Sequence, residues 1–383
     1  MEPFCHKITA VLRAVTPIHV GTGMKTGVIK HSHPFIKGAA IRGAIGTALM
    51  KLVCKKGNPL KEHEKCEYFE ECTYARLFGE EFGRPSKIFF RYAYPLHMNC
   101  GGVFRPAPKT LYRCTNPQCR RVYDDFVPRD SCESCGESLK PVVGFRCDRC
   151  NLIESLPVRI VRVTLTAVDS STGAAARFRT GAEEVGTLHT LEAINSGSRF
   201  GFEAIAYGVE EPDLEILKRV LERALPDEGI GGSKSRGLGK IAVEGLRVEP
   251  IDASTIDERA SELEETDFRA ELASPMVLKG EMLAAPTLLE GARRAYTLAM
   301  RKGKPALPEL KLVQKAAEGE VLSGWSLRSD NRRALEAAIS AGSVFRFTSG
   351  TKSRELAVGL AALEYYAIGS YKPHGCGQVK IKV

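Results

Sequence analysis

The chain has 383 residues, of which 43% are hydrophobic and 26% charged, and its net charge is +9 at pH 7. This length suits two or three domains, and the positive charge favours a polyanionic partner. No apolar run is long enough to span a bilayer, and the N-terminus has no secretory signal pattern, so we expect a cytoplasmic protein with no membrane role.

The N-terminal region predicts a strand followed by a basic, glycine-containing loop and a helix. Residues Lys7–Val15 alternate as a strand, and Lys25 lies in the loop that follows. The segment FIKGAAIRGAIGTALM then has helical spacing, with Lys37 and Arg42 near its start. A helix N-terminus with cations favours a phosphate. Alternatively, its glycines only permit close helix packing.

A first set of soft metal ligands follows this helix. Cys54, His63, Cys66 and Cys72 lie within nineteen residues and would suffice for one zinc ion. Their spacing is irregular, so buried free cysteines are the alternative.

A stronger metal pattern lies between residues 111 and 152. Cys114 and Cys119 form a C-x4-C pair, while Cys132/Cys135 and Cys147/Cys150 form C-x2-C pairs. Clustered pairs in a long chain without a signal peptide favour zinc over disulfides, and three pairs exceed the need of a redox dithiol. Either the first four or the last four cysteines would share one zinc; the remaining pair would share a second zinc with Cys100 or with residues near Cys66. We expect a zinc ribbon inserted in a first domain.

The segment GIGGSKSRGLGKI, Gly229–Ile241, predicts a phosphate-binding loop. Glycines allow positive φ and close approach of a ligand, and successive N–H groups form an anion nest. Serine, lysine and arginine side chains add donors. The segment is not a Walker loop, because no GxxxxGK[ST] opens a helix. The alternative is a purely structural connection.

An internal duplication is indicated by three matched elements in the same order. The segment IGSYKPHGCGQVKIKV at the C-terminus resembles the loop from Ile230, once one residue is slipped. Residues 196–202 resemble 341–347, and residues 15–21 resemble 273–280. We therefore expect domains at 1–250 and 272–383, joined by an acidic linker at 251–271. The lone tryptophan, Trp325, is more typical of a core than of base stacking.

The segments TPIHVG, FIKGAAIRGAIGTAL and GGSKSRGLGKI together resemble the RAMP superfamily of CRISPR-associated RNA-binding proteins. Lys37–Gly43 stands where the family has Pro-Gly-Ser-Ser-x-Arg-Gly; the proline and serines are lost and Arg42-Gly43 is kept. The resemblance implies an α+β fold with two ferredoxin-like or RRM-like domains and antiparallel sheets. A basic loop at 174–191 resembles the hairpin that such proteins press on RNA.

The stretch LSGWSLRSDNRRALEAAISAGSVFRF resembles the Cas-five-group, Csx-ten-like subunit of type III-D and related complexes. This implies a subunit that holds the 5′ handle of the CRISPR RNA and caps an antiviral ribonucleoprotein, beside backbone RAMP subunits and target RNA. The residues expected to contact RNA are Lys25, Lys37, Arg42, Arg177, Arg179, Gly231, Gly232, Ser233, Lys234, Ser235, Arg236, Gly237, Lys240, Tyr371, Lys372 and His374.

No metalloprotease, nucleophile-elbow or P-loop signature is present, so we expect a non-catalytic subunit with zinc as its cofactor. A processing endoribonuclease is the alternative, with His19, His31, His33 and His374 as candidates. A Cas-seven-group backbone subunit is a further one, although residues 21–34 contain no aspartate. A free-standing zinc-ribbon factor fits the cysteines but not the duplicated loops.

Overall fold

The computed structural model describes residues 3–56, 63–79, 84–127, 129–169, 171–180, 183–186, 188–280, 282–326 and 331–383. We call residues 3–251 the first half and residues 252–383 the second half. The elements of the first half are β1 (Cys5–Ala14), β2 (Gly21–Thr26), β3 (Ile29–Ser32), α1 (Gly38–Val53), α2 (Thr73–Phe78), β4 (Ile88–Phe90), β5 (Tyr94–Pro95), β6 (Phe104–Pro106), β7 (Leu111–Cys114), β8 (Val122–Asp124), β9 (Leu139–Pro141), β10 (Phe145–Cys147), β11 (Ile153–Glu154), β12 (Ile160–Leu165), β13 (Arg177–Thr180), β14 (Glu183–Gly186), β15 (His189–Ile194), β16 (Arg199–Ala206), α3 (Glu211–Arg219), α4 (Leu225–Glu228) and β17 (Ile241–Ile251).

The second half repeats the same plan with fewer insertions. Its elements are α5 (Ala253–Ser261), β18 (Asp267–Leu272), α6 (Ala285–Met300), β19 (Leu310–Ala316), β20 (Gly319–Leu322), β21 (Trp325–Ser326), β22 (Asn331–Arg332), β23 (Glu336–Ile339), β24 (Val344–Ser349), α7 (Arg354–Tyr366) and β25 (Val379–Lys382). Helix α5 and the start of β18 occupy the stretch predicted as a linker.

Each half is built on one antiparallel sheet with the same strand order. The first sheet runs β17-β1-β16-β4, and the second runs β25-β18-β24-β19. In both, a helix follows the first strand and another precedes the last strand, which gives a β-α-β-β-α-β order. The predicted α+β class with antiparallel sheets is confirmed.

The two cores follow from the alternation of side chains along these strands. On β1, Ile8 and Leu12 point to one face and are buried against Ile41 and Ile45 of α1. In the second half, Phe345 and Phe347 of β24 pack with the alanine-rich faces of α6 and α7. One face of each sheet is thus fully used for the core.

The duplication extends to individual backbone hydrogen bonds. Gly239 N donates to Pro17 O over 2.8 Å, and Gly377 N donates to Pro275 O over the same distance. Ser233 and Tyr371 both adopt the left-handed conformation, each before a 3-10 turn that ends at a left-handed glycine. The two loops therefore match residue by residue, and the predicted one-residue slip between them is wrong.

The halves contact each other through both sheets. Arg91 beside β4 donates to Glu364 O of α7 over 2.7 Å and pairs with Glu203 on the outer face of the first sheet. On the outer face of the second sheet, Arg269 pairs with Asp124 of the inserted region at 3.1 Å and lies 5.0 Å from the Phe126 ring. In these places the outer sheet faces are occupied by the chain itself.

Two further findings concern exposure. Trp325 lies on β21 with 55% of its surface exposed, so the expectation that it belongs to the core is wrong. Among the helices that the structure describes, none combines the length and the apolar character needed to cross a membrane.

Candidate metal and nucleic-acid sites

The inserted region between β6 and β11 brings two groups of soft ligands together. Cys114, Cys119, Cys132 and Cys135 form one group whose ligand atoms all lie within 4.8 Å of one another. The sulfurs of Cys114 and Cys135 are 3.4 Å apart, and those of Cys119 and Cys132 are 3.7 Å apart. Of the two arrangements left open by the sequence, the structure forms this one.

The second group joins the remaining C-x2-C pair to residues fifty positions upstream. His97, Cys100, Cys147 and Cys150 also lie within 4.8 Å of one another. Cys100 was foreseen as a partner, but His97 was missed by the sequence analysis. The signal was present, because His97-Met98-Asn99-Cys100-Gly101 has the same spacing as Cys132-Glu133-Ser134-Cys135-Gly136.

Both groups have the donor set and spacing of a tetrahedral zinc site. Zn–S bonds of about 2.3 Å place neighbouring sulfurs about 3.8 Å apart, near the distances found here. A disulfide needs about 2.05 Å, and these cysteines are free. The Tyr123 hydroxyl, 3.3 Å from the sulfur, and the backbone N–H of Ser134 lower the pKa of Cys132 to about 6, which favours the thiolate that binds a metal.

The predicted site of Cys54, His63, Cys66 and Cys72 does not assemble as a group of three or more ligands in the described part of the chain. His63 Nε2 lies 3.5 Å from Cys72 Sγ, and the His63 ring packs edge-on against Tyr74. Cys72 is held at the N-cap of α2, while Cys54 caps the C-terminus of α1. Among the described residues, no third ligand of this set joins the pair of His63 and Cys72.

The first glycine-rich loop, residues 229–241, leads from α4 to β17. Lys234, Ser235, Arg236 and Gly237 are exposed, whereas Leu238 is buried and anchors the loop. Gly231 lies so close to the chain that a Cβ would be 2.5 Å from His19 O. The positive φ of Gly231, 96°, and this contact explain why glycine is required there.

The cations of this loop already have partners within the protein. Lys234 pairs with Glu228, which also accepts from Lys51 over 2.6 Å. Arg236 Nη1 lies 2.9 Å from His189 Nε2 on β15; because a guanidinium only donates, the imidazole accepts. Arg236 is thereby fixed beside the sheet β12-β15-β3-β2.

The second glycine-rich loop, residues 367–379, is packed between the halves. Gly375 leaves no room for a Cβ, which would lie 2.6 Å from Phe90 O. Lys372 Nζ lies 3.5 Å from the Tyr366 ring centroid, and burial lowers its pKa to about 8. Burial, with Arg42 and Arg333 nearby, lowers the pKa of His374 to about 2.

The start of α1 also faces inward. Arg42 donates to Phe78 O over 2.8 Å and to Ser86 Oγ over 3.1 Å. Burial lowers the pKa of Lys37, and a Cβ on Gly38 would meet His374 O at 2.5 Å. A backbone carbonyl of the second loop thus stands at the helix N-terminus where a phosphate was expected.

The remaining predicted contacts are spread over the first half and the second loop. Lys25 on β2, Arg177 on β13 and Lys240 at the end of the loop are exposed, and Tyr371 of the second loop donates to Glu336 over 2.9 Å. Arg179 lies on β13, and its side chain falls outside the described residues, as does Thr187 of the basic loop.

A hydroxyl, an imidazole and a carboxylate are aligned on β2, β3 and β15. His31 Nδ1 lies 2.9 Å from Glu192 Oε2, and His31 Nε2 lies 2.9 Å from Thr26 Oγ1. His31 was a candidate in the sequence, but its partners were not, because they come from other strands. A carboxylate-oriented imidazole beside a hydroxyl has the arrangement of a general base.

Comparison with known proteins identifies the fold family. Residues 11–242 match the model of the RAMP superfamily. A segment of 65 residues is 35% identical to the "CRISPR system Cms endoribonuclease Csm3" of Methanocaldococcus jannaschii, and the match covers 16% of this chain and 26% of that protein. The chain thus spans about a quarter of the length of this curated relative.

Solved structures that the chain resembles include CRISPR proteins. The cryo-EM structure of type III-B Cmr-beta bound to cognate target RNA has 15% identity and a TM-score of 0.33 over 64% of this chain and 61% of that chain. A Cas6 product complex has 9% identity and a TM-score of 0.42 over 99% and 100%.

Proposed function

The chain belongs to the RAMP superfamily of CRISPR-associated proteins, and on this premise we propose that it is a non-catalytic, RNA-binding subunit of a type III effector complex. In this proposal it resembles the Cas-five-group, Csx-ten-like subunits, holds the 5′ handle of the CRISPR RNA, caps the complex and contacts backbone RAMP subunits and target RNA in the cytoplasm. The observation that carries the proposal is the exposed first loop, with Arg236 fixed beside a basic sheet.

The surface around this loop supports an RNA partner. His189, which holds Arg236, lies on β15. Lys30 of β3 and Lys25 of β2 lie on the same face of this sheet, because Lys30 pairs with Leu191, two residues from His189, and Lys25 pairs with Lys30. Cations on one surface give affinity for phosphates of any sequence. Single-stranded RNA adds splayed bases that can be read individually.

The proposal includes two ferredoxin-like RAMP domains, at 1–250 and in the second half, and a zinc ribbon at about 111–152. The repeated β-α-β-β-α-β order supports the domains. The group Cys114, Cys119, Cys132 and Cys135 supports the ribbon, because four thiolates form the usual closed site of structural zinc. Zinc there would stabilise the β7–β9 sheet, since ligand binding and folding are coupled in such sites.

Sequencing of the RNA that copurifies with the protein from cells that carry its CRISPR array tests this function. We expect RNA with one fixed, repeat-derived 5′ end, because a handle-binding subunit protects that end. RNA with random ends would reduce the protein to a general RNA binder, and absence of RNA at low salt would contradict the proposal.

RNA cleavage is the second candidate, favoured by the alignment of Thr26, His31 and Glu192. The relative named as an endoribonuclease also supports it. Incubation of the pure protein with repeat-containing RNA separates the two candidates. A single-site product that disappears in His31→Ala, while RNA binding is retained, would replace the binding-only proposal with a processing nuclease.

A further inference from the structure

The group of His97, Cys100, Cys147 and Cys150 lies where the inserted region joins the first half. It consists of an H-x2-C pair and a distant C-x2-C pair that meet in the folded chain. It differs from the group of Cys114, Cys119, Cys132 and Cys135 in having one nitrogen ligand. We propose that these four residues form a second zinc site, with three thiolates and His97 Nδ1 as ligands, and that its metal fixes the base of the inserted region.

The backbone around His97 has the same turn as the two C-x2-C pairs. His97 N donates to Gly102 O over 2.7 Å, and Gly101 N donates to His97 O over 2.8 Å. The corresponding bonds are Cys132 N to Glu137 O and Gly136 N to Cys132 O, and also Cys147 N to Leu152 O and Asn151 N to Cys147 O, at 2.7 to 3.0 Å. Gly101, Gly136 and Asn151 are all left-handed, with φ of 69°, 72° and 59°.

This shared turn is the metal-binding knuckle, in which both ligand side chains leave on one side. His97 therefore occupies the first ligand position of a third knuckle. Its Nδ1 lies 3.1 Å from Cys100 Sγ and 3.2 Å from Cys150 Sγ, and the sulfurs of Cys100 and Cys147 are 3.5 Å apart. A histidine in this position supplies the nitrogen that zinc accepts readily beside thiolates.

The backbone around the four ligands contacts the sulfur atoms directly and leaves space for them. Gly102 N points at Cys100 Sγ over 3.4 Å, and a Cβ on Gly102 would lie 2.6 Å from Cys147 Sγ. Arg149 donates to Cys100 O over 2.5 Å, and Asp148 accepts from Val103 N over 2.8 Å. Such outer contacts orient ligands in metal sites. Three soft ligands and one imidazole exclude calcium and magnesium as preferred metals.

The position of the site indicates what its metal would do. Cys147 belongs to the same buried cluster as Tyr94, Phe104 and Phe145, and the Tyr94 hydroxyl donates to Ala273 O of the second half over 2.8 Å. A metal here ties the β5–β6 turn to the β10–β11 turn. It therefore holds the cluster that contacts the second half, whereas the first group organises β7, β8 and β9.

The test is the zinc content of the full chain purified without chelator. We expect two zinc ions per chain in the wild type, one in His97→Ala and one in Cys132→Ser. Cys66→Ser is the matched control: it lies in the cysteine set that does not assemble, so two zinc ions should remain. A wild type with one zinc, or His97→Ala with two, would overturn the proposal.

A second measurement keeps the test decisive if His97→Ala folds poorly. His97→Cys preserves a tetrahedral donor set, so it should keep two zinc ions and wild-type thermal stability. With cobalt(II) in place of zinc, its thiolate-to-metal absorption should rise above that of the wild type, because one nitrogen ligand becomes a sulfur. An unchanged absorption would show that position 97 does not bind the metal.

Discussion

The two glycine-rich loops have the same backbone and opposite surroundings. Each has a left-handed residue, a 3-10 turn and a left-handed glycine, with φ of 83° at Gly237 and 91° at Gly375. A Cβ on Gly237 would meet nothing within 4 Å, whereas one on Gly375 would meet Phe90 and Tyr92. The duplication thus preserved the loop, and its location decides whether it faces solvent or the other half.

A lysine occupies the same position in both loops, and its contacts are similar in the two copies. Lys234 binds Glu228, and Lys372 lies over the Tyr366 ring; each partner directly precedes the positive-φ residue that ends its helix. The lysine therefore folds back on its own loop in both copies. In the first loop, Arg236 is the better candidate for phosphate contact, although the sequence assigned both cations to that role.

A contact between an arginine and a histidine is also found at both loops, but the first loop supplies the arginine and the second loop supplies the histidine. The first loop supplies Arg236 and the neighbouring strand supplies His189, at 2.9 Å. The second loop supplies His374, and Arg333 approaches it at 3.0 Å. The same arginine–imidazole contact therefore has an exposed arginine in one loop and a half-buried imidazole in the other.

We expect the largest difference between the loops in the loss of stability when alanine replaces Gly237 or Gly375. Alanine at Gly237 adds only the cost of a left-handed backbone, about 1 kcal/mol. Alanine at Gly375 adds a clash with Phe90, so we expect a total loss of about 3 kcal/mol. Thermal unfolding of the two variants measures this, and equal shifts in Tm would show that the second loop is not packed between the halves.

Acid sensitivity should come from the second loop. Burial lowers the pKa of His374 to about 2, below the ordinary value of about 6.5. The unfolded chain then binds more protons, so this contribution to stability is present above pH 6.5 and is lost as the pH falls towards 2. Tm measured from pH 7.5 to 4.5 should fall less steeply in His374→Gln than in the wild type.

His33→Gln is a second variant for comparison, because burial also lowers the pKa of His33, to about 3. Each variant should remove its own part of the acid slope. A His374→Gln profile parallel to that of the wild type would contradict the buried, neutral imidazole.

We expect the smallest effect, on the affinity for RNA and its salt dependence, when alanine replaces Arg236 or Lys234 of the first loop. Arg236→Ala should weaken binding of single-stranded RNA and lower the salt slope by about 0.7, the value for one lost phosphate contact. Lys234→Ala should change the slope less, because Glu228 already pairs with this lysine. Fluorescence anisotropy at several salt concentrations measures both, with Arg333→Ala, the arginine that contacts His374 of the second loop, as control. An unchanged slope in the Lys234→Ala/Arg236→Ala double variant would remove this loop from the RNA interface.

Short-range patterns in the sequence predicted much of this protein. The duplication, the resemblance to the RAMP superfamily and the α+β class were readable because glycine turns, strand alternation and helix spacing are local features. The C-x4-C and C-x2-C pairs also indicated metal binding, since each knuckle is formed by six or so neighbouring residues.

Only the tertiary structure decided which of these local features meet. Cys132 and Cys135 join Cys114 and Cys119 because β8 and β9 both pair with β7, and Cys147 is left to His97 because β10 pairs with β6. Arg42 and His374 turn inward because the second loop packs on α1 and β4. Pairing between strands that are distant in sequence leaves no trace in local spacing, so the same glycine-rich motif gave one loop that faces solvent and one that packs between the halves.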